Sequence, residues 1–231
     1  MKTLRLILLF FEYYPIYLSV FVTLIPIGIL VAKYRKLEVG FRLLLIYLIC
    51  KFVLDWAMIY TAATGQNNIL LHNLHVPLRY VLLSSMMYQF LESKKLRQTI
   101  KWMIPIFLML SVGEIYVSYQ PGNSDQEHFW VRYIGVLECI LMLLWILLYF
   151  YELLKSLKVV NLLASARFVT VVAWMFFFAS RVFFAPFLYY YARMHGRLDL
   201  GALDLIPDYM DLLTILILAV AVGLITSQNN D

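Results

Sequence analysis

Seven apolar stretches divide this chain, and each is long enough to cross the hydrocarbon core of a bilayer. They run roughly from Tyr14 to Ala32, Phe41 to Ala62, Ile69 to Leu91, Ile100 to Tyr119, Trp130 to Leu153, Arg167 to Tyr190 and Ile206 to Ser227. A core about 30 Å thick needs about 20 residues of helix. Backbone groups in lipid must be satisfied within the segment, which selects helix. The period-2 alternation of a membrane barrel is absent. The expected fold is all-α, a polytopic seven-transmembrane helix bundle forming a single domain over residues 1–231. Composition agrees, with 63% hydrophobic and 14% charged residues, against about 45–50% and about 25% in soluble domains. Those proportions exclude a soluble globular domain, disorder, a disulfide scaffold and nucleic acid as a partner; the lipid bilayer is the partner they imply.

Residues 1–13 have a basic start and an apolar middle, as a signal peptide does. They lack a small-residue cleavage site, and Glu12 and Tyr13 follow instead. A retained interfacial helix is the expectation. The links between spans are short, with turn signals at Gly65-Gln66-Asn67-Asn68 and Pro121-Gly122-Asn123-Ser124. No loop can hold a soluble domain, so any output runs through a separate partner.

Orientation follows from the basic residues. Eleven of the nineteen lie in the first, third and fifth loops: Lys33, Arg35, Lys36, Arg42, Lys94, Lys95, Arg97, Lys101, Lys155, Lys158 and Arg167. Five lie on the opposite side: Lys2, Arg5, Arg132, Arg193 and Arg197. The expected topology places the N-terminus outside and the C-terminus in the cytoplasm.

The remaining three basic residues, Lys51, Arg79 and Arg181, fall inside spans. So do Asp55, Glu114, Glu138, Asp208 and Asp211. Each charge there costs about 2.5–3.5 kcal/mol on insertion scales, so such groups face the bundle interior and pair. At about 1.5 Å per residue, they gather in the middle and outer half. His72, His75 and Arg79 share one helical face by spacing. Lys51 and Asp55 stand four apart, as an ion pair on one helix requires. Pro77 and Pro186 sit near charges and each frees a carbonyl. The expected site is a polar pocket open to the outer face. Its ligand-binding candidates are His72, His75, Arg79, Asp55, Glu114, Glu138, Arg181, Asp208 and Asp211. A static ion-pair network that fixes helix packing is the competing reading.

No cofactor, metal or catalytic set is expected. His72-x-x-His75 is half of a zinc motif without a clustered second half. Cys50 and Cys139 lie inside spans as packing residues. The last span has no lysine for a retinal Schiff base. A receptor-like sensor of a small polar or amphipathic ligand is the leading function, signalling to a partner such as a kinase. A secondary transporter, a subunit of a larger membrane complex and an intramembrane lipid-modifying enzyme are the alternatives.

Four stretches carry a family resemblance: Lys33-Tyr34-Arg35-Lys36-Leu37; Gly65-Gln66-Asn67-Asn68; Leu137-Glu138 with Leu147-Leu148-Tyr149-Phe150-Tyr151-Glu152-Leu153-Leu154; and the Gly223-containing last span. In that order the chain resembles a family of uncharacterised seven-transmembrane-helix inner-membrane proteins of Bacteroidota. The resemblance implies acids at Asp55 and Glu138, which this chain has. It implies an acid where Arg79 stands and a neutral polar residue where Arg181 stands. Those two arginines depart from the pattern. They either pair with Asp55 and Glu138 or prepare the site for an anionic group. No activity transfers with the resemblance.

Overall fold

A computed structural model describes residues 19–66, 68–118, 131–156, 161–195 and 206–226. Seven helices account for nearly all of them, and there is no strand among the described residues. They are α1 (Ser19–Ala32), α2 (Val39–Ala63), α3 (Ile69–Phe90), α4 (Lys94–Ser118), α5 (Val131–Ser156), α6 (Ala166–His195) and α7 (Ile206–Gly223). The expected interfacial helix over residues 1–13 and the turn at Pro121-Gly122-Asn123-Ser124 lie outside the described residues.

Helices α2, α4, α5, α6 and α7 are each long and apolar enough to cross a membrane. This is a multi-pass helical membrane protein. Helix α3 has the length, at 22 residues, but His72, Asn73, His75 and Arg79 dilute its apolar character. Asn73, His75 and Arg79 are buried, as a helix that polar requires in a bilayer. The outer faces of the bundle are apolar too. Val53, Met109, Leu147 and Phe183 are all exposed, which suits contact with lipid and not water.

Two local features shape the ends. Helix α1 breaks at Thr23, between Ser19–Val22 and Leu24–Ala32. Pro26 accounts for the break, since it has no N–H for the Val22 carbonyl. Helix α2 ends in a Schellman motif: the Gln66 N–H donates to Thr61 O at 2.8 Å and the Gly65 N–H to Ala62 O at 3.1 Å. Gly65 takes the left-handed conformation this needs, with φ 70°.

The helices form a ring of six, in the order α1, α2, α3, α5, α6, α7, with α7 closing back onto α1. Helix α4 lies outside the ring, packed along α3. Its Trp102, Met109, Val112 and Tyr116 are all exposed. Helix α4 also begins at Lys94, six residues before the expected span. Lys94, Lys95, Arg97 and Lys101 therefore ride on its first two turns. Lys94, Lys95 and Lys101 are exposed there, while Arg97 turns back to the Gln89 and Leu91 carbonyls at the end of α3. Helices α2 and α3 approach closely at Gly40, where a Cβ would lie 2.5 Å from a Phe90 ring carbon.

The ring's interior is aromatic and aliphatic. Tyr47, Trp145, Trp174, Phe177 and Phe178 are buried in it with Leu44, Leu48, Leu83 and Leu218. Tyr47 meets Trp174 edge-on, with centroids 5.3 Å apart. This layer separates the two ends of the bundle.

Candidate functional site

Helical spacing sets four stripes of side chains against one another. On α2 the stripe runs Tyr47, Lys51, Asp55, Met58, Ala62, in steps of three or four. On α3 it runs Asn68, His72, His75, Arg79. On α6 it is Phe177 and Arg181, and on α7 it is Asp208 and Asp211. All of these residues line one cavity of about 370 Å³. Ser19 and Val20 of α1, Ile59 of α2 and Pro207 of α7 complete the wall. The cavity lies at the end of the bundle where α2 finishes and where α1, α3 and α7 begin. Tyr47, Arg79 and Phe177 are its deepest residues. The aromatic layer of Tyr47, Trp174 and Phe178 closes it below.

Lys51 is buried and held between two acids. Its Nζ donates to Asp55 Oδ2 at 2.7 Å and to Asp211 Oδ2 at 2.9 Å. The Asp55 bond is internal to α2, while the Asp211 bond ties α2 to α7. Arg79 is buried and pairs with a fully buried Glu138 on α5. Its Nε donates to Oε1 at 2.7 Å and its Nη2 to Oε2 at 2.5 Å. This two-point fork is the strongest geometry available to the pair. The guanidinium also stands 5.2 Å from the Phe177 ring centroid.

Arg181 shares that ring, with its guanidinium 4.6 Å from the Phe177 centroid. It makes no ion pair or hydrogen bond among the described residues. Its Nε is buried without a hydrogen-bond partner there, as are His75 Nε2 and Tyr47 Oη. Buried polar atoms are almost always paired. Three unpaired ones in a single cavity mark it as a place for polar contact. Asp208 also has no ion pair or hydrogen bond among the described residues. His72 is exposed at the mouth and His75 is buried behind it.

Seven of the nine candidate residues thus line the cavity: Asp55, His72, His75, Arg79, Arg181, Asp208 and Asp211. Glu138 stands one step back, behind Arg79. Glu114 is not part of the cluster. It sits on α4, the helix outside the ring, half-buried, with Oε1 buried and unpaired among the described residues. Sequence position gave its depth but not which helix would be displaced from the ring. Lys51, Tyr47, Met58, Asn68 and Phe177 line the cavity and were not among the candidates. Their signal is the three-or-four spacing itself, which carries each stripe through uncharged positions.

Arg79 pairs with Glu138, and Arg181 pairs with neither Asp55 nor Glu138. Among the described residues, no three His, Cys, Asp or Glu side chains are grouped to hold a metal ion.

A second cavity, about 700 Å³, lies at the opposite end, between Glu38, Phe90, Tyr149, Glu152 and Arg167. Its charges secure helix ends. Glu152 accepts the Glu92 and Ser93 N–H groups at 2.9 Å each, capping the start of α4. No family model, curated protein or solved structure matches this chain.

Proposed function

We propose that this chain is a receptor-like sensor or binding protein of a bacterial inner membrane, with its pocket on the outer face. The observation that carries the reading is the cavity: buried charges converge on it from α2, α3, α6 and α7, and an aromatic layer closes it on one side. A transporter needs access from both faces to a midplane site. The packed floor of Tyr47, Trp174 and Phe178 favours binding over passage. The basic residues at the far end, from Lys33 to Arg42 and from Lys94 to Lys101, support placing that end in the cytoplasm. Output then runs through a partner, such as a signalling kinase, at the basic end. The reading assigns no catalysis.

Thiol labelling tests it. In a Cys50→Ala, Cys139→Ala background, Met58→Cys places a thiol on the cavity wall and Lys95→Cys places one at the basic end. A membrane-impermeant maleimide is expected to label Met58→Cys in right-side-out vesicles and Lys95→Cys only in inverted ones. Labelling of Met58→Cys from the inverted side alone sinks the reading. Equal labelling from both sides replaces it with transport.

A further inference from the structure

The charges of the cavity divide into those already answered and those left over. Lys51 is held by Asp55 and Asp211, at 2.7 and 2.9 Å. Arg79 is held by Glu138. Two opposite charges form no ion pair or hydrogen bond among the described residues: Arg181 on α6 and Asp208 on α7, both on the cavity wall, where each feels the other's charge across the gap. From this we infer that the pocket takes a small zwitterion, with an oxyanion on Arg181 and an ammonium on Asp208. The inference rests on reading the cavity as a binding pocket and names the class of its ligand.

The two signs on the cavity wall favour this class over a singly charged one. The lining carries three cations and three carboxylates, and Glu138 behind Arg79 makes a fourth carboxylate; the extra negative charge lies in the two acids that share Lys51. An anion alone would answer Arg181 and leave Asp208 facing added negative charge. A cation alone would answer Asp208 and face Arg181. A zwitterion answers both and brings no net charge into a low-dielectric site, where an unpaired charge is costly.

Geometry favours the same assignment. Arg181 Cζ stands over the Phe177 ring, 4.6 Å from its centroid. A guanidinium offers a planar fork of N–H donors that a carboxylate or phosphate can take two at a time. His75 Nε2 and Tyr47 Oη, both buried and unpaired among the described residues, line the same cavity for further polar contact. Val20, Met58, Ile59 and Ala62 supply an apolar side. The volume is at the small end of ligand pockets, which span about 300–1,000 Å³. An aliphatic amino acid has these properties. So does the ethanolamine phosphate headgroup of a phospholipid, which carries the same pair of charges.

The experiment uses the full chain in detergent and isothermal titration. The probes are leucine, isovalerate (its anion alone), isoamylamine (its cation alone) and glycerophosphoethanolamine. Leucine or glycerophosphoethanolamine is expected to bind at least tenfold more tightly than either singly charged probe. Whichever zwitterion binds more tightly identifies the source, free solute or lipid headgroup. Arg181→Gln and Asp208→Asn are each expected to lose at least tenfold. Arg181→Lys, which keeps the charge without the planar fork, is expected to retain part of the affinity. The unliganded melting temperature of each variant checks its fold. Isovalerate or isoamylamine binding as well as leucine overturns the inference. So does the absence of binding by all four probes in a protein whose Met58→Cys labels from outside; that result leaves the pocket reading standing. Failure of the labelling removes the pocket reading itself.

Discussion

The two ends of this bundle use the same residue types for opposite purposes. At the pocket end, Lys51, Arg79, Asp211 and Glu138 are drawn inside the ring and answered there. At the basic end, charges stay on the rim and tie off helix ends. Lys33 Nζ donates to the Val222 and Gly223 carbonyls at 3.0 and 2.8 Å, closing the end of α7. Arg97 Nε donates to Leu91 O at 2.6 Å. Arg167 pairs with Glu38 in the open, with side chains 41% and 55% exposed. A charge that water reaches can be lost cheaply, and one that water cannot reach holds its partner hostage. The difference lies in position along the membrane normal, not in chemistry.

The sharpest way to break this comparison is to remove one half of each pair. Arg79→Ala strands Glu138 in the interior, and about 3–5 kcal/mol of stability should go with it. Unfolding in mixed micelles would measure the loss. Replacing both partners, as Arg79→Met with Glu138→Leu, should restore most of it, because no charge is left stranded. At the basic end, packing is expected to outrank charge. Gly40→Ala pushes a methyl against Phe90 and should cost about 1–3 kcal/mol in the same assay. A double-mutant cycle on Arg167 and Glu38 should return the smallest value, about 0–1 kcal/mol. A coupling there as large as the Arg79→Ala loss would erase the contrast between the ends.

Span positions were legible in the sequence because apolar length is a local property. Helices α2, α3 and α5 begin and end within three residues of expectation. The start of α4 was not, because Lys94 to Lys101 read as loop, whereas they sit on the helix's first two turns, with the lysines exposed and Arg97 bound to the Leu91 carbonyl. Nor was the place of α4 outside the ring. Its exposed Trp102, Met109, Val112 and Tyr116 suit lipid as well as a neighbouring helix, so its sequence does not show that it leaves the ring, and Glu114 was grouped with charges it does not meet. Pairing followed the same rule. Lys51 with Asp55 was visible from four-residue spacing. Arg79 with Glu138 spans 59 residues and depends on α3 lying beside α5, a fact of the assembled ring. Uncharged lining residues such as Tyr47 and Phe177 sit on readable stripes, but polarity alone does not select them.

The bond between Lys51 and Asp211 also bears on how the chain is built. The two residues are 160 positions apart, and domains generally form in the order of synthesis. When α2 enters the bilayer, α7 has not been made. A bare ammonium at that depth would weigh against insertion. Asp55, one turn along the same helix, is present from the outset and escorts the lysine in. Asp211 arrives with α7 and takes up the second bond, tying α7 across the interior to α2 as the ring closes. The double hold on Lys51 thus reads as a record of assembly order: one partner for the journey, one for the destination.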